Sequence, residues 1–147
     1  MTISNLGLRV TILSAAGNVQ AAIYANNPTT GRPTGNALVS TASMSTGATG
    51  SVSATASVQL EAGLYWFATN CDNGTAAFSA PNVASTFVGY LIGSATQATD
   101  LTTSQSFWGL SVSQTFGTWP SLTAASFSEI TSQGTTPLVQ FQVASTP

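Results

Sequence analysis

The sequence predicts an all-β protein, an antiparallel β-sandwich of jelly-roll type. Apolar residues recur at every second position, and nowhere do they repeat at helical spacing over three turns. Short apolar pieces are separated by Gly, Pro, Asn and Ser/Thr clusters, with none of the strand–helix alternation that builds parallel sheets. At 147 residues, 43% of them hydrophobic, the chain is long enough to bury a two-layer core without metal or disulfide support. It reads as one domain over 1–147, with no linker and no internal repeat.

In NLGLRVTIL, Leu6, Leu8, Val10 and Ile12 alternate with Asn5, Gly7, Arg9 and Thr11, which sets four aliphatic side chains on one face of a half-buried strand. After the turn SAAGN, the segment NVQAAIYA offers Val19, Ala21 and Ile23 on one side and Gln20, Ala22 and Tyr24 on the other. The two strands are expected to pair as a hairpin. In the loop NNPTTGRPTGN, Pro28 and Pro33 fix φ while Gly31 and Gly35 permit positive φ, so it reads as a rigid connection with Arg32 at its tip.

GSVSATASVQL turns Val52, Ala54, Ala56, Val58 and Leu60 inward and Ser51, Ser53, Thr55, Ser57 and Gln59 outward. A helix would scatter those five apolar residues around its circumference. EAG makes a turn, and GLYWFAT returns with apolar residues on both faces, the pattern of a central strand covered on both sides. From 70 to 135 the signal weakens to TAAFSA, STFVGYLIG, QSFWGLSV and AASFSEI, expected to be short strands between long loops. PLVQFQVAS is the expected closing strand, Val139, Phe141 and Val143 alternating with Leu138, Gln140 and Gln142.

Ser and Thr supply close to three residues in ten, Lys and His are absent, and the charged fraction is 4%. Arg9 and Arg32 are the two cations in a chain of net charge −2, so there is no electrostatic footprint for phosphate backbones or anionic lipid. Neither nucleic acid nor a membrane is an expected partner. The hydrophobic and aromatic fractions, 43% and 9%, rule out the composition of a disordered chain. So few charges also give weak colloidal repulsion, which suits a protein held in a large assembly.

Chemistry is thinly supplied. Without histidine there is no Ser-His-Asp triad, no Cys-His pair and no imidazole metal ligand. The carboxylates Glu61, Asp72, Asp100 and Glu129 are spread along the chain, mostly beside turn formers, and no spacing pairs two of them across a cleft. CDNGT places oxygen ligands close together but brings a single carboxylate, so it reads as a tight turn with Asn73-Gly74 at positive φ and not as a calcium loop. No glycine spacing ends in the Gly-Lys of a nucleotide loop. Cys71 is alone, which excludes an intrachain disulfide. The expectation is a protein that is not an enzyme and takes no cofactor and no metal.

Aromatic side chains are the remaining candidates for binding. Trp66 lies in an apolar run and is expected in the core. Trp108 in SFWGL and Trp119 in TWP flank loops and are the candidates for stacking on a sugar ring, against the competing demand that large side chains fill the interior.

Four features recur in order: Ile23-Tyr24 at the end of a strand, the Gly-x-Pro-x-Gly loop from Gly31 to Gly35, the Ser/Thr-rich strand from Ser51 to Leu60, and the Leu-to-Trp segment from Leu60 to Trp66. With FVGY, GTWPSLTA and TPLVQFQV behind them, they make nearly the whole chain resemble a β-domain recurring in bacteriophage tail-fibre and other virion proteins. The resemblance implies a structural component of a virion, with copies of itself, trimers above all, and other virion proteins as partners; synthesis in the host cytoplasm is expected from an N-terminus without a signal-peptide pattern. It contributes no catalytic residue. Such domains usually carry a strand before the first one visible here, so the chain is expected to be an excerpt or to have its sheet completed by a neighbour. An open first strand, bearing Leu6 and Leu8, would then be an assembly edge. Arg32 is expected to donate to carbonyls of its own turn or of an adjacent subunit. Two other readings stand beside this one: a capsid decoration protein, and a free carbohydrate-binding module or adhesin that meets a host-surface glycan. No run of apolar residues is long enough for a membrane-spanning helix, and MTISNLGLRV lacks the basic segment and apolar core of a signal peptide.

Overall fold

The computed structural model describes residues 1–80, 109–130 and 137–145. Among these residues there are ten strands and no helix: β1 (Thr2–Ile12), β2 (Asn18–Asn26), β3 (Pro33–Ser40), β4 (Met44–Ser45), β5 (Gly50–Gln59), β6 (Tyr65–Cys71), β7 (Ala77–Phe78), β8 (Gly109–Ser111), β9 (Ser128–Ile130) and β10 (Gln140–Ser145). Every pairing is antiparallel. The described residues belong to two compact units. One takes 1–78, 114–125 and 139–145, and the other takes 79–80, 109–113, 126–130 and 137–138. Because the chain leaves the first unit and returns to it twice, no linker marks the division in the sequence.

The first unit is a two-sheet β-sandwich. In one sheet β1 is central: at Thr2–Gly7 it bonds β10 on one edge and β5 on the other, and at Val10 it bonds Phe78 of β7 opposite Gly50 of β5. In the other sheet β2 is central, with β6 along one edge from Val19 to Ala25 and β3 then β4 along the opposite edge. Strands β1 and β2 therefore do not form the expected hairpin. Each has one fully apolar face, and both faces are buried when the strands sit at the centres of opposing sheets. Ile3, Leu6 and Leu8 of β1 join Val19, Ala21 and Ile23 of β2, with Met44, Ala56 and Leu60, in one buried cluster. Full burial of each large aliphatic side chain contributes about 1.5–3 kcal/mol.

The alternation in β1 is reset once. Ile3 and Leu6 are both buried, three positions apart, and the register with β5 shifts between Ile3 and Asn5. Ile3 thus takes the core place expected for Ile12, which is 59% exposed beyond the end of β5. Leu6 and Leu8 are completely buried in a strand paired on both edges. They are core residues, and the first strand is not the open assembly edge that the resemblance implied. β5 keeps the expected alternation throughout, with Ser51, Ser53, Thr55, Ser57 and Gln59 exposed.

Strands β3 and β4 run as one interrupted strand along β2. At the interruption the Thr41 N–H donates to the Ala21 carbonyl at 2.8 Å, and the Ala21 N–H donates to the Thr41 hydroxyl at 3.0 Å. A buried threonine thus substitutes for a missing rung of the ladder. The outer face of β2 is covered by 114–125: the Tyr24 hydroxyl donates to the Pro120 carbonyl at 2.9 Å, and the Leu122 N–H donates to Gly35. Burial pushes the Tyr24 phenol up from its ordinary value. In the second unit β8 pairs with β9, and the Leu138 N–H donates to Ser79.

Candidate functional site

Glu61, Asp72 and Glu129 are all exposed, and no group of three His, Cys, Asp or Glu residues that could hold a metal occurs among the described residues; Asp100 lies outside them. Asp72 has a structural task. It accepts the Asn18 N–H at 2.7 Å, the Asn18 amide at 2.9 Å and the Asn73 amide at 2.9 Å. The Asn18 N–H foremost, then the Asn73 and Asn18 amides, hold its carboxyl below the usual carboxylate range. The CDNGT turn is closed by a side chain and not by positive φ as expected: the Asn73 side-chain oxygen accepts the N–H groups of Thr75 and Ala76, and neither Asn73 nor Gly74 has positive φ. The half-buried Cys71 thiol accepts from the Asn73 amide at 3.4 Å.

The loop between β2 and β3 has the backbone that its composition suggested. Gly31 and Gly35 have φ of 65° and 72°. The Asn27 side chain accepts the N–H groups of Thr29 and Thr30, the Gly31 N–H donates to Asn27, and the Asn27 N–H donates to the Arg32 carbonyl. Arg32 is exposed at the tip. Of the two tryptophans proposed for sugar stacking, Trp108 lies outside the described residues. Trp119 is half-buried, its ring 6.4 Å from that of Tyr24, and its indole N–H is buried without a hydrogen-bond partner. It packs on the outer face of β2. Trp66 is also half-buried rather than core, and its indole N–H donates to the Asn26 side-chain oxygen at 2.9 Å.

Two features were not singled out in the sequence. One is an open depression of about 480 Å³ where β2 ends and β6 begins, lined by Ala25, Asn26, Pro28, Gly63, Leu64 and Tyr65. Register makes it: Ala25 is directly paired with Tyr65. The other is the flank of the sandwich between β6 and β10. β6 pairs only with β2 among the described residues, so it is an edge strand and not the central strand expected. Phe67 lies opposite Ile23 and Phe141 opposite Leu6, which directs both rings inward. They stack on each other at 5.5 Å and 8°, yet remain 37% and 45% exposed, with Val143 at 41%.

No protein-family model, curated protein or solved structure matches the chain.

Proposed function

We propose that this chain is a non-enzymatic structural module of a bacteriophage particle, part of a tail fibre or related surface appendage, working as a homo-oligomer and, on its resemblance, as a trimer. The observation that carries the reading is the character of β10. All six of its residues are exposed, its sequence QFQVAS holds no charge and no proline, and it is paired on one edge only among the described residues. Edge strands of free-standing proteins are normally blunted by lysine, proline or an inward-pointing charge, because bare N–H and C=O groups recruit further strands. Here none of those devices is present, and apolar side chains stand exposed beside the edge. The uncharged outer face of β5 supports the same reading, since hydroxyls and amides are buried against a neighbour at less cost than charges.

The test is light-scattering mass measurement on the wild type and on a variant carrying both Gln140→Lys and Gln142→Lys, two exposed positions flanking Phe141. The expected outcome is an oligomeric wild type and a monomeric variant whose melting temperature is nearly unchanged, surface substitutions costing about 0.5 kcal/mol or less. A monomeric wild type, or an unaltered oligomer, overturns the assembly reading. Arg32→Ala should likewise weaken assembly and spare the fold; equal loss of both, or of neither, removes Arg32 from the interface. Gold labelling on intact particles tests the location. A few copies at the tail support the proposal, many copies on the head replace it with capsid decoration, and none on the particle removes the virion reading altogether.

A further inference from the structure

We infer that the depression between the end of β2 and the start of β6 is a binding site for a neutral saccharide unit, a pyranose ring held on Tyr65 and Leu64. The inference stands apart from the virion reading, because it rests on the local chemistry of six residues in one unit.

The lining is apolar with two oriented polar groups. Ala25, Pro28, Leu64 and Tyr65 supply the apolar surface, and Leu64 is 77% exposed, a large aliphatic side chain that no part of the described core covers. Asn26 supplies the first. The Trp66 indole N–H can only donate, so it fixes the Asn26 oxygen toward itself and leaves the amide nitrogen as the group available to donate to a ligand. The Tyr65 hydroxyl donates to the Glu61 carbonyl at 3.2 Å, which leaves its oxygen to accept. One amide donor, one phenol acceptor and an apolar floor, with no charged side chain in the lining, match a molecule that has a C–H face and hydroxyl edges. They do not match a phosphate, a carboxylate or a cation. The volume, about 480 Å³, is in the ordinary range for small-molecule sites.

The rim is built before any ligand arrives. Pro28 sits in the loop held by the Asn27 side chain and by the Asn27–Arg32 and Gly31–Asn27 backbone bonds, and Tyr65 is anchored to the Glu61 carbonyl. Little ordering is therefore left to oppose binding. Gly63 has a further role. A Cβ there would lie 3.7 to 3.9 Å from Cε2, Cζ and Oη of Tyr65, in ordinary contact with the ring. Its absence keeps that side of the tyrosine open, and any side chain at 63 would occupy the space of the ligand without straining the exposed turn.

The test is NMR titration of the full chain with a panel of methyl glycosides (glucoside, galactoside, mannoside and N-acetylglucosaminide) up to about 50 mM, a range set to detect millimolar affinity. At least one glycoside should shift the Asn26 side-chain amide, the Trp66 indole N–H and the Gly63 and Leu64 backbone signals together and saturably. Gly63→Val should weaken that Kd about tenfold or more while leaving the melting temperature unchanged, and Tyr65→Ala should abolish the shifts. Should Tyr65→Ala unfold the chain, Gly63→Val decides the matter alone. No saturable shift with any glycoside, shifts indifferent to Gly63→Val, or binding of free indole at the same signals with no response to sugars would each overturn the proposal.

Discussion

Thr41→Val isolates a single hydrogen bond at the centre of the β2 sheet. Valine keeps the branched shape and nearly the volume of threonine, and the backbone bond from the Thr41 N–H to Ala21 does not depend on the side chain. What disappears is the acceptor for the Ala21 N–H, in a pair where Ala21 is fully buried and Thr41 is 4% exposed. Water does not reach a donor in that position, so its desolvation is left uncompensated, at a cost of about 1–3 kcal/mol. Taking about 2 kcal/mol, the melting temperature of a chain of this size falls by about 4–8 °C. Thr41→Ser keeps the hydroxyl and loses a buried methyl, worth about 1 kcal/mol. The two variants therefore rank oppositely under two explanations. If the hydroxyl matters, valine is the worse substitution; if Thr41 only fills space, serine is. Urea unfolding of both, with hydrogen exchange at the Ala21 amide, decides. A Thr41→Val protein as stable as the wild type, or more stable than Thr41→Ser, refutes the view that the threonine completes the interrupted ladder.

The Asp72 turn gives a pH dependence whose sign is set by its depressed carboxyl. Such a group stabilises the folded state above its unfolded value, 3.8, and that contribution is lost as pH falls through the lower folded value. Asp72→Asn should accordingly lower the urea midpoint at pH 7, with the gap to the wild type narrowing as pH falls below 3.8, and a gap that stays constant across that range would show that the charge is irrelevant. Gly17→Ala places a Cβ against the Asn73 amide and the Thr46 hydroxyl. Asn73 cannot yield without releasing Thr75, Ala76 and Asp72, so the overpacking cost of about 1–3 kcal/mol should exceed the gain of about 0.4–1 kcal/mol from a stiffer unfolded chain. An unchanged or raised denaturation midpoint would mean that the turn relaxes freely.

Strand character was legible because one face of most strands meets water. The alternation of Val and Ala with Ser and Thr in β5 could be read directly, and it matches the exposure of each residue. Alternation specifies a face, however, and not a partner. The short SAAGN connection suggested a hairpin between β1 and β2, whereas burying two apolar faces against each other sends them to different sheets. Ile3 was missed for a related reason: the irregularity after it places Ile3 and Leu6 on one face at a spacing that fits no regular strand. β6 was misread as central because apolar residues on both of its faces say nothing about its edges, and among the described residues it pairs with β2 alone. Tyr65 and Phe67 take the core-facing side, and Trp66 on the other face reaches Asn26. The candidate site itself was invisible, since nothing in NNP or GLY marks them as neighbours until Ala25 is known to pair with Tyr65.

The paucity of charge belongs to a different level of explanation from the fold. The outward positions of β5 are exposed, and lysine or glutamate at such positions would change stability by only about 0.5 kcal/mol. The sandwich is therefore nearly indifferent to whether Ser51, Ser53, Thr55, Ser57 and Gln59 are charged, and their neutrality is compatible with the assembly proposed above. A solvated domain gains solubility from scattered charges. A surface that is to be covered gains from their absence, because each buried ion needs a partner or costs several kcal/mol, whereas a hydroxyl can pair with a neighbouring carbonyl. The same reasoning applies to β10, where charge would be the simplest guard against strand addition and none is found.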